Sequence, residues 1–136
     1  MADLKEVCEA LLGKVDTLAM NTNAETELFT VPPGKKAIIT KVIVYDVSAT
    51  MAGCDDVNFG AGAAGAGVVW LDAVSALADC TAALDYYILA QAAGEYTLID
   101  GDDATLANRI FNIDIVDGSD GAATASVAVF GFLFDS

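Results

Sequence analysis

Residues 27–47 constrain the fold of this chain more than any other stretch. A short run of strand-forming residues leads into Pro32-Pro33-Gly34, and the longest β-branched segment of the sequence follows it. Pro33 presets φ for the first central position of a tight turn, and Gly34 supplies the positive φ that a type II turn needs at the second. Pro32 also holds the residue before it in the extended region. The sequence therefore predicts two strands joined by a sharp corner.

The strand after this corner, residues 37–47, is apolar on both faces. Strict alternation assigns its side chains to two groups: Ile39, Ile43, Tyr45 and Val47 on one face, and Ile38, Val42 and Val44 on the other. The C-terminal run from Val127 to Phe134 is also apolar on both faces, and an exposed copy of it would aggregate. A two-faced apolar strand indicates a central position in a sandwich or a face covered by another chain.

The remaining chain alternates short strand patterns with turn signals. Strand patterns occupy residues 55–60, 68–71, 86–89, 94–99, 109–116 and 123–134, whereas residues 72–84 fit a short helix or an irregular crossover. About eight strands separated by turns predict a single all-β domain, an antiparallel β-sandwich of jelly-roll type, over residues 25–136.

The segment before it, residues 1–24, has a helical pattern. Its apolar side chains fall at helical spacing: Leu4, Val7, Cys8, Leu11, Leu12, Val15 and Leu18. Asp3 and Glu6 resemble a capping box, but Gly13 interrupts the pattern at a cost of about 1 kcal/mol. The segment is therefore predicted to be a helix or an extended arm. Either form could pack on its own domain or dock on a neighbouring subunit.

The formal net charge is −14 and there is no histidine. Because nucleic acids and anionic membranes attract cations, neither is expected as a partner. Residues 1–41 hold five of the six basic residues and six acids (net −1), which leaves a net −13 for residues 42–136. This split suits a docking N-terminal part and a solvent-facing remainder, although acidity can also serve solubility alone. No signal-peptide pattern is present, so synthesis in the cytosol is expected.

The sequence offers little for catalysis or for a cofactor. General acid–base chemistry without histidine would need a carboxylate or lysine of strongly shifted pKa. Neither a nucleophile elbow nor a phosphate-binding loop occurs. Cys8, Cys54 and Cys80 lack metal-ligand spacing; reduced thiols are expected, with a Cys54–Cys80 bridge as the alternative. The chain is therefore predicted to be non-enzymatic.

Two acidic turns are candidate calcium sites, because hard oxygen ligands suit Ca²⁺. They contain Asp100, Asp102, Asp103, Asp117 and Asp120. Neither turn has the spacing of an EF-hand, and solvated turns are the alternative interpretation. Strand aromatics at Trp70, Tyr86, Tyr87 and Tyr96 could stack on sugars in a carbohydrate-recognition module, or could belong to the core.

Three stretches carry a resemblance to a known class of proteins. Leu12-Gly-Lys-Val15, the segment Thr26–Val44 around Leu28-Phe-Thr-Val-Pro-Pro-Gly-Lys35, and Val129-Phe-Gly-Phe132 resemble a pattern of small structural proteins of tailed bacteriophages. The resemblance implies a β-sandwich virion component. Its expected role is that of a capsid decoration (cement) protein that binds the major capsid protein or another virion protein. An accessory protein of the neck, tail or fibre is the alternative. Decoration proteins commonly form trimers, so the resemblance also implies a homotrimer.

Together, these observations nominate a partner interface. Its apolar candidates are Leu4, Val7, Leu11, Phe130, Phe132 and Phe134, and its basic candidates are Lys35, Lys36 and Lys41. The three lysines are half of the chain's six basic residues and lie beside the Pro32-Pro33-Gly34 corner. We therefore expect this corner to face a partner subunit or a virion shell.

Overall fold

Two antiparallel sheets face each other in the computed structural model, which describes residues 8–63, 68–94 and 98–136. The nine strands are β1 (Ala10–Ala19), β2 (Glu25–Thr30), β3 (Lys35–Tyr45), β4 (Asp56–Ala61), β5 (Val68–Val74), β6 (Tyr87–Ala90), β7 (Ile99–Asp100), β8 (Ile110–Asp117) and β9 (Thr124–Asp135). Short 3-10 turns occupy Ala76–Asp79 and Leu106–Arg109. Within the described ranges, no helix is long and apolar enough to span a bilayer.

The strand order identifies the architecture. The first sheet runs β1-β9-β3-β6, with the two-residue strand β7 beside β3, and the second sheet runs β2-β8-β4-β5. If β7 is set aside and the strands are renumbered, the orders become 1-8-3-6 and 2-7-4-5, which is the arrangement of a jelly roll. The predicted all-β sandwich is thus confirmed.

The Pro-Pro-Gly corner forms as predicted. The Lys35 amide donates to the Pro32 carbonyl across 3.2 Å, and Gly34 has φ of 78°, as a type II turn requires at its second central position. Its two strands lie in different sheets, because β2 belongs to the second and β3 to the first. The corner is therefore the place where the chain crosses from one layer of the sandwich to the other.

A β-bulge in β3 corrects the predicted division of its faces. Ile39 is paired with Gly131 and Lys41 with Phe130, so Thr40 is one extra residue on β3. The bulge shifts the alternation by one position, which places Ile39 inward with Val42 and Val44. Ile43 and Tyr45 face outward instead, with Ile38. Strict alternation wrongly put Ile39 and Ile43 on the same face.

Strand β1 replaces the predicted helix, which is wrong over Ala10–Ala19. Two bulges, between Leu11 and Gly13 and between Val15 and Leu18, each add a residue relative to β9. The side chains that pack on the core are consequently Leu12, Val15 and Leu18, three residues apart, which imitates helical spacing. The extended alternative holds for this strand, which pairs with β9. The division into segments 1–24 and 25–136 stays a prediction.

Two glycines allow close backbone approaches. An added Cβ at Gly131 would lie 2.0 Å from the Ile38 carbonyl oxygen, opposite the bulge in β3. An added Cβ at Gly13 would lie 2.1 Å from the Leu28 carbonyl oxygen, where β1 passes β2. Both positions need a residue without a side chain, since the obstructing atoms belong to the backbone.

The centre of the core is aromatic and joins the two sheets. Trp70 makes edge-to-face contacts with Phe59 and Phe111, with ring centroids 6.3 and 5.8 Å apart. Its indole N–H donates to the Ile39 carbonyl oxygen across 2.9 Å. Because Trp70 belongs to β5 and Ile39 to β3, this hydrogen bond links the second sheet to the first.

The cysteines are free thiols. Cys54 and Cys80 are buried and unbridged, so the alternative of a disulfide between them is wrong for this structure, and Cys8 is exposed. Burial raises the pKa of the Cys54 thiol to about 11, with smaller contributions from the charges of Asp55 and Asp117. Cys54 is therefore a protonated, unreactive core residue at neutral pH.

Substituting Gly131 tests the close approach at the bulge. Gly131→Ala places a methyl group against the Ile38 backbone and should lower the free energy of unfolding by roughly 2–3 kcal/mol. The measurement is urea denaturation. Gly121→Ala is the matched control, because no atom lies within 4 Å of its added Cβ, and it should change stability by less than about 0.5 kcal/mol. Equal effects of the two substitutions would contradict this account.

Candidate interaction surface

The outer face of the first sheet carries a row of apolar side chains across four strands. Residues paired directly across a ladder share a face, and the pairs Leu11–Phe130, Ala128–Ile43 and Ile43–Ile88 connect β1, β9, β3 and β6. We call these five residues the apolar row. Leu11 and Ile88 are 53% and 54% exposed. Part of the row lines a groove of about 370 Å³ with Lys14 and Tyr45 at its margin.

The two-sided pattern of β9 creates this surface. Val127 and Val129 point into the core and are fully buried, whereas Phe130, Phe132 and Phe134 point outward and are only partly buried. Phe132 pairs with Ile38 and Phe134 with Lys36, so the apolar surface continues along the sheet towards the corner. The outward face of β9, which the sequence predicted to need a covering partner, therefore lies on the surface of the domain.

Lysines border the apolar row and are paired with acids. Lys41 lies over the Phe130 ring, with Nζ 5.1 Å from the centroid, and its Nζ is 3.2 Å from Oε1 of Glu9. Lys14 Nζ lies 3.2 Å from Oδ1 of Asp16. Hydrogen bonds to Asp16 and then to Tyr45 raise the pKa of Lys14. Lys14 thus remains charged beside an apolar surface.

The corner lysines lie at the far end of the same sheet. Lys36 is outward, opposite Phe134 in one ladder and Asp100 in the other, and Lys35 forms an ion pair with Asp135. The structure therefore brings Leu11, Lys41 and Phe130 of the predicted interface together, with Phe132, Phe134 and Lys36 further along the sheet. Leu4 and Val7, the remaining predicted interface residues, lie outside the described residues.

The first acidic turn holds the corner in place. Gly34 N–H donates to Asp102 Oδ1 across 3.0 Å, and the Ser136 hydroxyl donates to the other oxygen, Oδ2, across 3.3 Å. Gly101 N–H donates to the Lys35 carbonyl across 2.9 Å, and Ser136 N–H donates to the Gly34 carbonyl across 3.0 Å. The turn and the C-terminal end thus bond to both sides of the Pro-Pro-Gly corner.

The aspartates predicted as candidate calcium ligands lie in two separate turns, and those of the first turn accept hydrogen bonds from backbone amides. Asp100 and Asp103 accept hydrogen bonds from the amides of Asp102 and Thr105, at 2.9 and 2.8 Å. The second turn, with Asp117 and Asp120, follows the other end of β8. Among residues 8–63, 68–94 and 98–136, no group of three or more potential ligands is arranged to hold a metal ion.

The outer face of the second sheet is acidic. Asp114 faces Glu25 on β2 and Asn58 on β4, and Asp56 follows on the same face of β4. Partial burial, and then the charges of Glu25 and Asp56, raise the pKa of Asp114. The two outer faces of the sandwich are therefore chemically different: one is apolar with paired charges, and the other concentrates carboxylates.

The aromatic candidates for sugar stacking that the structure describes do not gather on one exposed surface. Trp70 is only 3% exposed and belongs to the core, which was the second of its two predicted alternatives. Tyr87 packs partly against the core, Tyr86 is 66% exposed, and Tyr96 lies outside the described residues. Sequence reasoning missed Ile43, Tyr45, Ile88 and Lys14 as surface residues. The apolar residues of the strands could have indicated this surface, but the bulges change which face a residue occupies.

Comparisons with known proteins give a fold likeness. No family model matches the chain, and no curated protein matches it. A chain in the structure described as "Cyanophage Pam1 capsid asymmetric unit" is similar, with a TM-score of 0.50 and 17% identity, covering 93% of this chain and 84% of that one. A chain in "Acidic stable capsid structure of Helicobacter pylori bacteriophage KHP30" has a TM-score of 0.39 and 13% identity over 96% and 98%. The first likeness shows a shared fold.

Removing Asp102 tests the attachment of the acidic turn to the corner. Asp102→Ala deletes the acceptor of the Gly34 amide and of the Ser136 hydroxyl. Because the site is exposed, we expect a loss of about 1 kcal/mol in the free energy of unfolding, measured by urea denaturation. Asp72→Ala, which removes an exposed carboxylate on β5, is the control and should have little effect. A loss no larger than that of the control would argue against the attachment.

Neutralising Asp114 tests the acidic face. A raised carboxyl pKa means that the folded protein binds this proton more tightly than the unfolded chain, so the contribution of Asp114 to stability falls as pH rises through its folded pKa. Asp114→Asn should therefore raise the melting temperature at pH 7, and this gain should vanish well below pH of about 4. Asp72→Asn controls for net charge. A gain that is independent of pH would contradict the assigned cause.

Proposed function

We propose that this chain is a non-enzymatic structural protein of a bacteriophage virion, a capsid decoration (cement) protein that binds the major capsid protein or another virion protein. The observation that carries the proposal is the apolar row on the outer face of the first sheet. Large contiguous apolar patches on soluble proteins mark surfaces that bind partners. A protein built to form permanent contacts in an assembly would need such a face.

The fold likeness directs the proposal to a phage particle. A chain of similar fold is part of a cyanophage capsid asymmetric unit. The sequence resemblance to phage structural proteins rests on different observations, namely the residues of the corner and the Phe-Gly motif. Two independent routes thus support the same class of assembly. They also support the virion as the location of the protein, after synthesis in the host cytoplasm.

The proposed mechanism is adhesion without bond chemistry. Apolar burial contributes roughly 25 cal/mol per Å² of surface removed from water, so modest contacts repeated over many copies can reinforce a shell. The Pro-Pro-Gly corner, with Lys35 and Lys36, is the proposed contact with the shell, because it holds two of the six basic residues of a chain of net charge −14. The acidic face of the second sheet would then point to solvent. The proposed assembly is a homotrimer.

An accessory protein of the neck, tail or fibre is the alternative within the same class. The same apolar row and the same corner would serve there, so the two roles differ only in location on the particle. Immunogold labelling of intact particles separates them, because a decoration protein labels the head surface and an accessory protein labels the tail or the neck. A carbohydrate-recognition role is not favoured, since Trp70 is a core residue.

Charge reversal at the corner tests the proposed shell contact. The double variant Lys35→Glu/Lys36→Glu should reduce occupancy on expanded phage heads that lack this protein by about tenfold or more, because it places carboxylates at the contact. Co-sedimentation with the heads gives the occupancy. Lys35→Arg/Lys36→Arg keeps the charge and is the matched control, and circular dichroism confirms that each variant folds. Unchanged occupancy of the Glu variant would refute the contact.

A further inference from the structure

The occupant of the apolar row can be inferred from charge. Among the described residues, the charged residues on and beside the outer face of the first sheet are Lys14, Lys36 and Lys41 with Glu9, Asp16 and Asp100, and exposed Asp46 directly follows β3. Their formal charges sum to −1, and the Lys35–Asp135 pair at the end of the sheet adds none. Nearly all of the net charge of −14 is therefore carried by other residues of the chain. The outer face of the first sheet is thus close to neutral on a strongly acidic protein.

The low net charge of this face favours a second copy of the chain as its partner. A face adapted to an oppositely charged surface would carry excess charge, because complementary potentials guide such encounters. Two copies of an acidic chain, in contrast, repel each other least on the approach that joins their nearly neutral faces. The Glu9–Lys41 and Lys14–Asp16 pairs each carry one positive and one negative charge. Each pair can therefore face an ion pair of a second copy with opposite charges in contact. A contact between copies of the same face, in a dimer or around the axis of a trimer, needs both signs of charge.

The dimensions of the face agree with such a contact. The strands β1, β9 and β3 have 10, 12 and 11 residues and β6 has four. At about 3.4 Å per residue and a spacing of about 4.8 Å, the four strands present a projected area on the order of 600 Å². A standard protein interface buries about 800 Å² of accessible surface per partner, and the accessible area of a corrugated face exceeds its projection. The groove of about 370 Å³ beside Phe130 gives side chains of a neighbour a place to insert.

We propose that the outer face of the first sheet, centred on the apolar row, is buried between copies of this chain. The proposal rests on the proposed function, since it names the partner of a face that the function requires to be covered. It separates two contacts: copies meet through the first sheet, and the assembled copies meet the shell through the corner. Association between copies should accordingly occur in the purified protein, without any phage particle.

Glutamate substitutions at both ends of the row test the proposal. Leu11→Glu and Ile88→Glu change exposed residues on edge strands and are expected to fold. Sedimentation velocity from about 1 µM to about 1 mM should show the unmodified chain as a dimer or trimer, and each variant should raise the dissociation constant at least tenfold. Val116→Glu is the control, since Val116 is 45% exposed on the second sheet and should leave association unchanged.

Salt provides a second readout that does not depend on substitutions. Because the joined faces are nearly neutral and the rest of each copy is acidic, raising salt from about 0.05 M to about 0.5 M screens repulsion and should strengthen association. A monomer at every concentration, loss of association only in Val116→Glu, or dissociation by salt would overturn the proposal. The result is independent of shell binding: a monomer that still coats heads refutes this inference alone, whereas an oligomer that fails to coat them refutes the proposed function alone.

Discussion

The two sheets of the sandwich share an apolar core, at the centre of which the Trp70 indole donates a hydrogen bond to the Ile39 carbonyl. A hydrogen bond buried between layers has a strict geometry, so it fixes β5 of one sheet against β3 of the other. Phe59 and Phe111 hold the indole from its sides. The bond also lies at the bulge around Thr40, and that bulge decides which residues of β3 face outward. The interior of the domain thus determines the composition of its surface.

The corner was predictable because its causes are local. Pro33 and Gly34 set their own dihedral angles, and neither needs help from distant residues. The bulges were not predictable, because each is a shift of register against a strand that is distant in the sequence. Gly13 approaches Leu28 and Gly131 approaches Ile38 across sequence separations that no local pattern reports. The bulges in β1 explain why its core-facing residues fall at helical spacing. The bulge in β3 explains why strict alternation assigned its residues to the wrong faces.

Candidate site residues were predictable only in part, because residue type does not reveal the acceptor or donor that a side chain will meet. Asp102 belongs to a sequence suited to calcium, yet its oxygens accept hydrogen bonds from Gly34 and Ser136. Trp70 could have been a surface aromatic, but its single N–H found a backbone acceptor in the core. Phe130 and Lys41 were both predicted for a partner interface, and the structure places Lys41 over the Phe130 ring on the outer face of the first sheet.

The edges of the two sheets limit how this protein can assemble. The edge strands are β1, β6 and β7 in the first sheet and β2 and β5 in the second. Register shifts interrupt the pairing of β1, β2 and β5 with their neighbours, whereas β6 has only four residues and β7 two. Irregular or short edges are poor templates for another strand. Strand-by-strand growth into fibrils is thereby suppressed, even though the chain contains long apolar strands that would otherwise favour amyloid-like stacking.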